Sequence, residues 1–362
     1  MGWSWKIGKL AGIDLYMHAT FALLIAWVAA TSWFASRDVG EMAESIVFIL
    51  ALFGCVVLHE LGHALTARRY GIPTRDITLL PIGGVARLER MPDDPKQELA
   101  VAAAGPLVNV VIAALLIGVL SLGHLWQPME QVGMERGSLL QRLLIANIWL
   151  VLFNLIPAFP MDGGRILRAL LATRMPYLRA TQIAAGLGQG FAFLFGFAGL
   201  FFNPFLVFIA LFVWIGAAEE AAATQMRVAF AGTPVQAAMI TDFRTLSTTS
   251  TLGDAVRLVL QGHQQDFPVV NEAGDIEGML TRADLLAGLS HHGAEYPVTA
   301  VMRTNCTTTT PHEMLEGVFQ KLSQEECRTV PVFDGGRFRG LVTMDNVAEF
   351  FMIRNALQKK AS

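Results

Sequence analysis

The stretch Phe53-Gly54-Cys55-Val56-Val57-Leu58-His59-Glu60-Leu61-Gly62-His63-Ala64-Leu65-Thr66 reads H-E-x-x-H inside an apolar run that begins near Ile46. On an α-helix, His59 and His63 stand ~40° apart on one face and ~6 Å apart along the axis. Two imidazoles so spaced can grip one zinc ion, and Glu60, beside the first, is placed to act as a general base. The alternative is a polar kink in a packed helix. It is the weaker reading in so apolar a helix, because ionisable groups at membrane depth are costly and default to function. Cys55 shares the helix face of His59. It reads as a small buried packing residue, with a third ligand as the alternative.

Working outward, the chain has 362 residues, of which 53% are hydrophobic and 16% charged, with a formal net charge of -3. Globular chains average ~25% charged, and this balance leaves no nucleic-acid footprint. The apolar residues concentrate before Thr224. Six runs approach the ~20 residues that cross ~30 Å of hydrocarbon: 19–34, 45–66, 99–122, 139–156, 183–202 and 204–223. The fourth is short and ends in Pro157 and Pro160. Glycines at 186, 188, 190, 196 and 199 mark the fifth either as a close helix contact or as a loosely bounded helix.

Basic residues place the loops. Arg68, Arg69, Arg75, Arg87, Arg90 and Lys96 follow the second span, Arg165, Arg168, Arg174 and Arg179 the fourth, and Arg227 the sixth. The positive-inside rule then puts both termini in the cytoplasm, with Arg136 and Arg142 as an exception. On this topology the second span enters from outside, so His59 lies in the cytoplasmic half of the bilayer. The fourth span also runs towards the cytoplasm and brings Asp162 to similar depth. A catalytic zinc takes three protein ligands and keeps one position open, so Asp162 is the candidate third. Its alternative is a surface Asp in a D-G turn.

At these residues the sequence resembles the site-2 protease family of intramembrane zinc metalloproteases. His59-Glu60-Leu61-Gly62-His63 goes with Asn154 to Arg165, the pattern N-x-x-P-x-x-P-x-D-G-G-R. Residues 79–86 and 104–109 also resemble family segments. The resemblance covers residues 6–224. It implies a zinc site of His59, His63 and Asp162 with one Zn2+ per chain, and Glu60 as the base. It also implies that Asn154 helps hold the substrate or the oxyanion, with a helix-capping or interhelical hydrogen bond as the alternative. Gly83-Gly84 looks like a short strand or loop beside the site, an edge on which an unwound substrate segment could pair, with a simple turn as the alternative. Asn109 either faces the site or packs between helices.

After Arg227 two stretches repeat with a period of about sixty residues, each alternating short β runs with helices. They resemble a tandem pair of CBS domains. Such pairs often bind adenine nucleotides, and the resemblance implies Thr281 and Asp284 in the first copy and Thr343 and Asn346 in the second. Asn346 departs from the acidic residue expected there, with Asp345 one position early. A dimerisation module without ligand is the alternative, as are helix caps at Thr281 and Asp284.

The fold class expected is therefore a multi-pass α-helical membrane protein of about six spans with a C-terminal α/β tandem CBS domain. Its divisions fall at residues 1–226, 227–290 and 291–354. The expected activity is zinc-dependent cleavage of membrane-spanning protein substrates at the lipid bilayer of the cell membrane. ATP, ADP or AMP would tune it through the CBS pair, which could also pair two chains as a homodimer. A CBS-gated transporter or channel and a non-catalytic scaffold are the competing classes. The order H-E-x-x-H and the Asn154–Asp162 cluster favour the peptidase, since a cation path needs neither.

Overall fold

Two strands precede the first long helix, where the sequence suggests only a basic N-terminus. In the computed structural model β1 (Ser4–Leu10) pairs antiparallel with β2 (Ile13–His18). β2 in turn lies parallel to β3 (Thr74–Leu80), and β3 closes an antiparallel hairpin with β4 (Gly83–Leu88). The structure describes residues 3–81, 83–89, 91–92, 94–127, 137–262, 264–324 and 329–359. The sheet order β1-β2-β3-β4 leaves β4 at an edge. His18 ends β2 and caps α1 (Ala19–Ser36) by accepting the Thr20 N–H on Nδ1, which gives this histidine a local structural role.

α2 (Val39–Arg69) carries the H-E-x-x-H motif on 31 residues. At 1.5 Å per residue it is about 46 Å long, more than the ~30 Å hydrocarbon layer needs. α3 (Pro95–Leu122) packs against it, and Gly62 permits the approach: a Cβ there would lie 2.9 Å from the Ala104 carbonyl oxygen. α4 (Leu139–Asn154), α5 (Asp162–Ala172), α6 (Tyr177–Phe201) and α7 (Phe205–Phe230) follow.

Among the described residues five helices are long and apolar enough to cross a membrane: α1, α2, α3, α6 and α7. The expected fourth span is shorter than its sequence suggests. α4 has 16 residues, about 24 Å against ~30 Å of hydrocarbon. It stops before Pro157, and after non-helical backbone at 155–161 the chain resumes as α5, a helix the sequence reading lacks. Such backbone is tolerated where protein buries it. Ala158 and Phe159 are indeed fully buried, in two small cores shared with α6 and α7. Of the α6 glycines, Gly188, Gly196 and Gly199 sit against α7, whereas Gly186 and Gly190 face open space.

Two arginines counted as loop charges are packed side chains instead. Arg168 is 1% exposed, and Arg142, one of the two exceptions, is buried over the Phe48 ring and paired with Glu44 at 3.2 Å, while the other, Arg136, lies outside the described residues. Buried cations of this kind are tolerated when paired.

The chain divides into two compact units, 1–222 and 223–362. In the second, β5 (Leu246–Ser247), α8 (Leu252–Gln261), β6 (Phe267–Val270), β7 (Ile276–Leu280) and α9 (Arg282–His292) form one repeat. α10 (Leu315–Gln324), β8 (Thr329–Asp334), β9 (Arg337–Thr343) and α11 (Met344–Lys359) form the other. Each has its own apolar core. They exchange edges: Ile240 bridges to Leu341 of the second repeat, and Arg303 to Met279 of the first.

Candidate metal centre

α2 projects His59 and His63 from one face, and Asp162, the first residue of α5, meets them from the far side of the chain. The Asp162 Oδ2 atom lies 3.1 Å from His59 Nε2 and 3.2 Å from His63 Nε2, and the two Nε2 atoms are 3.1 Å apart. All three residues are buried, each 6% exposed. Among the described residues these three form the group that could hold a metal ion, and Cys55 is not part of it.

The outward hydrogen bonds decide what these atoms are. His63 Nδ1 lies 2.7 Å from the Val101 carbonyl oxygen. A carbonyl only accepts, so Nδ1 carries the proton and Nε2 presents a lone pair in the neutral ring. His59 Nδ1 lies 2.5 Å from Asn109 Oδ1, and with that oxygen facing the ring the proton sits on Nδ1 here as well. Three acceptor atoms, two imidazole nitrogens and a carboxylate oxygen, thus converge with no proton of their own to share. A cation resolves that arrangement. Two donors held 2.0–2.1 Å from a tetrahedral zinc stand about 3.3–3.4 Å apart, close to the separations found.

The supports run outward through named contacts. Asn109 Nδ2 donates to Asn147 Oδ1 at 2.8 Å, and Asn147 donates onward to the Leu143 carbonyl at 2.8 Å and to Cys55 Sγ at 3.4 Å. Asn109 and Asn147 are both fully buried. Both readings of Asn109 meet in one side chain: its oxygen faces the site, and its amino group bonds across to α4. Asn147 escapes the sequence reading, although an amide in the middle of an apolar helix is itself a signal.

α5 is fixed at both ends of the turn and a half that follows Asp162. Gly163 and Gly164 let it approach the preceding loop, where a Cβ would lie 2.6 Å from the Ile156 carbonyl carbon and from Phe159 N respectively. Arg168 is bound by Glu98 of α3, with Nε to Oε1 at 2.7 Å, and by Glu220 of α7. Its guanidinium also lies 5.0 Å from the ring centres of both Phe159 and Tyr177. Glu60 faces β4, and its Oε2 accepts the Ala86 N–H at 3.0 Å. Gly84 leaves room for it: a Cβ there would lie 2.8 Å from Glu60 Cγ. Asn154 ends α4, and its Nδ2 donates to the Leu150 carbonyl at 3.0 Å, along its own helix.

In the second unit a cavity of about 1210 Å³ is lined from both repeats, by Thr281 and Arg282 of the first and Thr343, Asp345 and Asn346 of the second. Thr281 and Thr343 each accept the N–H three residues on, from Asp284 and Asn346. Asp284 is engaged elsewhere, by Arg303 at 2.7 and 3.0 Å. Burial pushes the Asp284 carboxyl up, but the bonds from Arg303 and Thr281 outweigh it and hold the group below the usual carboxylate range.

Comparison with known proteins follows the same division. The profile of peptidase family M50 matches residues 47–136 and 121–197, and that of the CBS domain matches 235–291 and 298–353. The chain is 31% identical over 348 residues to zinc metalloprotease MJ0392 of Methanocaldococcus jannaschii, covering 96% of each. It is 28% identical over 375 residues to Rip3 of Mycobacterium tuberculosis, covering 97% of this chain and 94% of that one. Among solved structures, the site-2 protease from Methanocaldococcus jannaschii is similar with a TM-score of 0.45 and 38% identity, over 60% of this chain and 95% of that one.

Proposed function

The chain belongs to peptidase family M50, the site-2 protease family of zinc metalloproteases, and on that premise we propose that it cleaves membrane-spanning proteins at a zinc held by His59, His63 and Asp162. The observation that supports this assignment best is the convergence of three unprotonated donor atoms from two distant segments. Zinc held there supplies Lewis acidity to a scissile carbonyl and acidifies a water molecule.

The chain's own residues do the rest. Glu60 leaves the Ala86 N–H, takes a proton from the attacking water and returns it to the leaving nitrogen. The outer edge of β4 offers backbone partners to a substrate segment that has unwound from helix to strand. Asn154 holds that segment or the developing oxyanion, exchanging its bond to the Leu150 carbonyl for one to the substrate. One zinc serves each chain.

The remaining parts fit this scheme. The chain crosses the cell membrane several times with both termini in the cytoplasm, and its working divisions are 1–226, 227–290 and 291–354. An adenine nucleotide, ATP, ADP or AMP, occupies the cavity between the CBS repeats through Thr281, Thr343 and Asn346. Asp284 joins it only by releasing Arg303. Two chains pair through these repeats.

Cleavage of a model membrane-spanning substrate by the purified protein, with and without chelator, tests the activity. Glu60→Gln is expected to keep its zinc and lose cleavage, whereas His59→Ala, His63→Ala and Asp162→Ala lose the zinc. Cleavage that survives chelation, or a Glu60→Gln protein that still cuts, would overturn the assignment. Ion flux without cleavage would point to a channel.

A further inference from the structure

We propose that Asn147 is a positioning residue which, by setting the direction of the Asn109 amide, decides which nitrogen of His59 faces the metal. The proposal rests on the zinc reading above and extends it to two residues outside the ligand set.

A neutral imidazole has one proton and two nitrogens, and only the bare one can ligate. A neighbouring primary amide can fix that choice either way. Its oxygen facing Nδ1 holds the proton there. Its nitrogen facing Nδ1 donates instead and sends the ring proton to Nε2, where it blocks the metal. Asn109 alone therefore does not determine the tautomer, because the two faces of an amide are nearly the same shape.

The direction is fixed one step further out. Asn147 Nδ2 is 2.8 Å from the Leu143 carbonyl oxygen and 3.4 Å from Cys55 Sγ. The carbonyl is an acceptor and nothing else, so the amino end of Asn147 points there and spends its protons there. The atom that Asn147 turns towards Asn109 is then Oδ1, at 2.8 Å, which demands a donor. Asn109 must answer with its own amino group, and its oxygen is left facing His59 Nδ1 at 2.5 Å. The relay runs from a backbone carbonyl on α4, through α3, to a ligand on α2. Both amides are fully buried, out of reach of bulk solvent. His63 needs no relay, since its Nδ1 meets the Val101 backbone carbonyl directly.

A carboxylate accepts on both oxygens and needs no orientation, and this separates the proposed role from simple packing. The experiment uses full-length wild type, Asn147→Leu, Asn109→Asp and the double variant Asn109→Asp/Asn147→Leu, stripped of metal in detergent. Zinc affinity is measured by competition with a chromophoric chelator, and the ligand field by the visible spectrum of the cobalt-loaded protein. Asn147→Leu should bind zinc about 10- to 100-fold more weakly, the range for loss of a partner behind a ligating histidine. The double variant should recover most of that loss, together with the wild-type cobalt spectrum.

Equal affinity in wild type and Asn147→Leu would overturn the proposal, as would a double variant no better than the single one. Asn147→Ala makes the same comparison if the leucine variant does not yield monodisperse protein. Wild type that binds neither zinc nor cobalt would instead overturn the metal reading itself.

Discussion

Substituting Gly105 by alanine places one methyl group against the metal centre. α3 passes so close to the two imidazoles that a Cβ at this position would lie 2.5 Å from His63 Cε1 and 2.7 Å from His59 Nε2. Unstrained contacts between such atoms lie near 3.5–4.0 Å, so the rings must retreat by about 1 Å. The three donor atoms are now 3.1–3.2 Å apart, and a metal site tolerates only about 0.2 Å of error in its bonds. Zinc affinity should therefore fall by more than about 100-fold, beyond the range seen for loss of an outer partner.

The helix itself is not weakened, because alanine favours helix over glycine by roughly 1 kcal/mol. Gly118, on the same helix with nothing within 4 Å of its would-be Cβ, is the matched control. Metal-to-protein ratios after gel filtration of wild type, Gly105→Ala and Gly118→Ala decide the matter. A Gly105→Ala protein that holds zinc as wild type does would refute the assigned geometry, and loss of zinc in Gly118→Ala would show that the assay reads helix packing.

Arg168→Met removes the cation between two carboxylates, of which Glu98 is 1% exposed. Breaking a buried pair costs about 3–5 kcal/mol, so the melting temperature should drop clearly, while an unchanged melt would deny the ion pair its structural part. Asp284→Asn tests the tail: the carboxyl is held below its usual range in the folded protein. Its ionised form therefore adds stability above the unfolded pKa of about 3.9, and that stability is lost as pH falls through the folded value. The gap in melting temperature between wild type and Asp284→Asn should be open at pH 7 and narrow as pH falls below about 3.9; a gap that widens on acidification reverses the sign and sinks the reading. Millimolar ATP, ADP or AMP should raise the melting temperature of the wild type by mass action, and less so in Thr343→Val/Asn346→Ala; no rise with any of the three counts against the nucleotide assignment.

What the sequence discloses is what short spacing controls. The i, i+4 histidines fix their own face of α2 before any tertiary contact forms, and their flanking run announces its depth. Asp162 is readable because two prolines end an apolar run just before it. The N-terminal sheet is hidden for the opposite reason. β2 pairs with β3 some sixty residues later, and in β1 the alternation of Trp5 and Ile7 with Lys6 and Gly8 is too short and breaks at Lys9-Leu10. α5 is hidden because Gly163 and Gly164 argue against helix locally, and the packing that excuses them is not local. Arg168 looks like a loop charge until Glu98 and Glu220 arrive from helices far away in sequence. Asp284 matches its motif, but its partner Arg303 belongs to the segment leading into the next repeat.

The hydrogen bond from Ala86 to Glu60 carries a stoichiometric consequence. One amide proton cannot serve two acceptors at full strength, and this one lies on the open side of the last strand of the sheet. A polypeptide docked along that margin as proposed would offer its own carbonyl to the same hydrogen and set Glu60 loose. On that reading, occupancy of the margin and idleness of Glu60 exclude each other at a single atom, so the arrival of a guest chain would also be the event that frees the proposed proton carrier to be used on it.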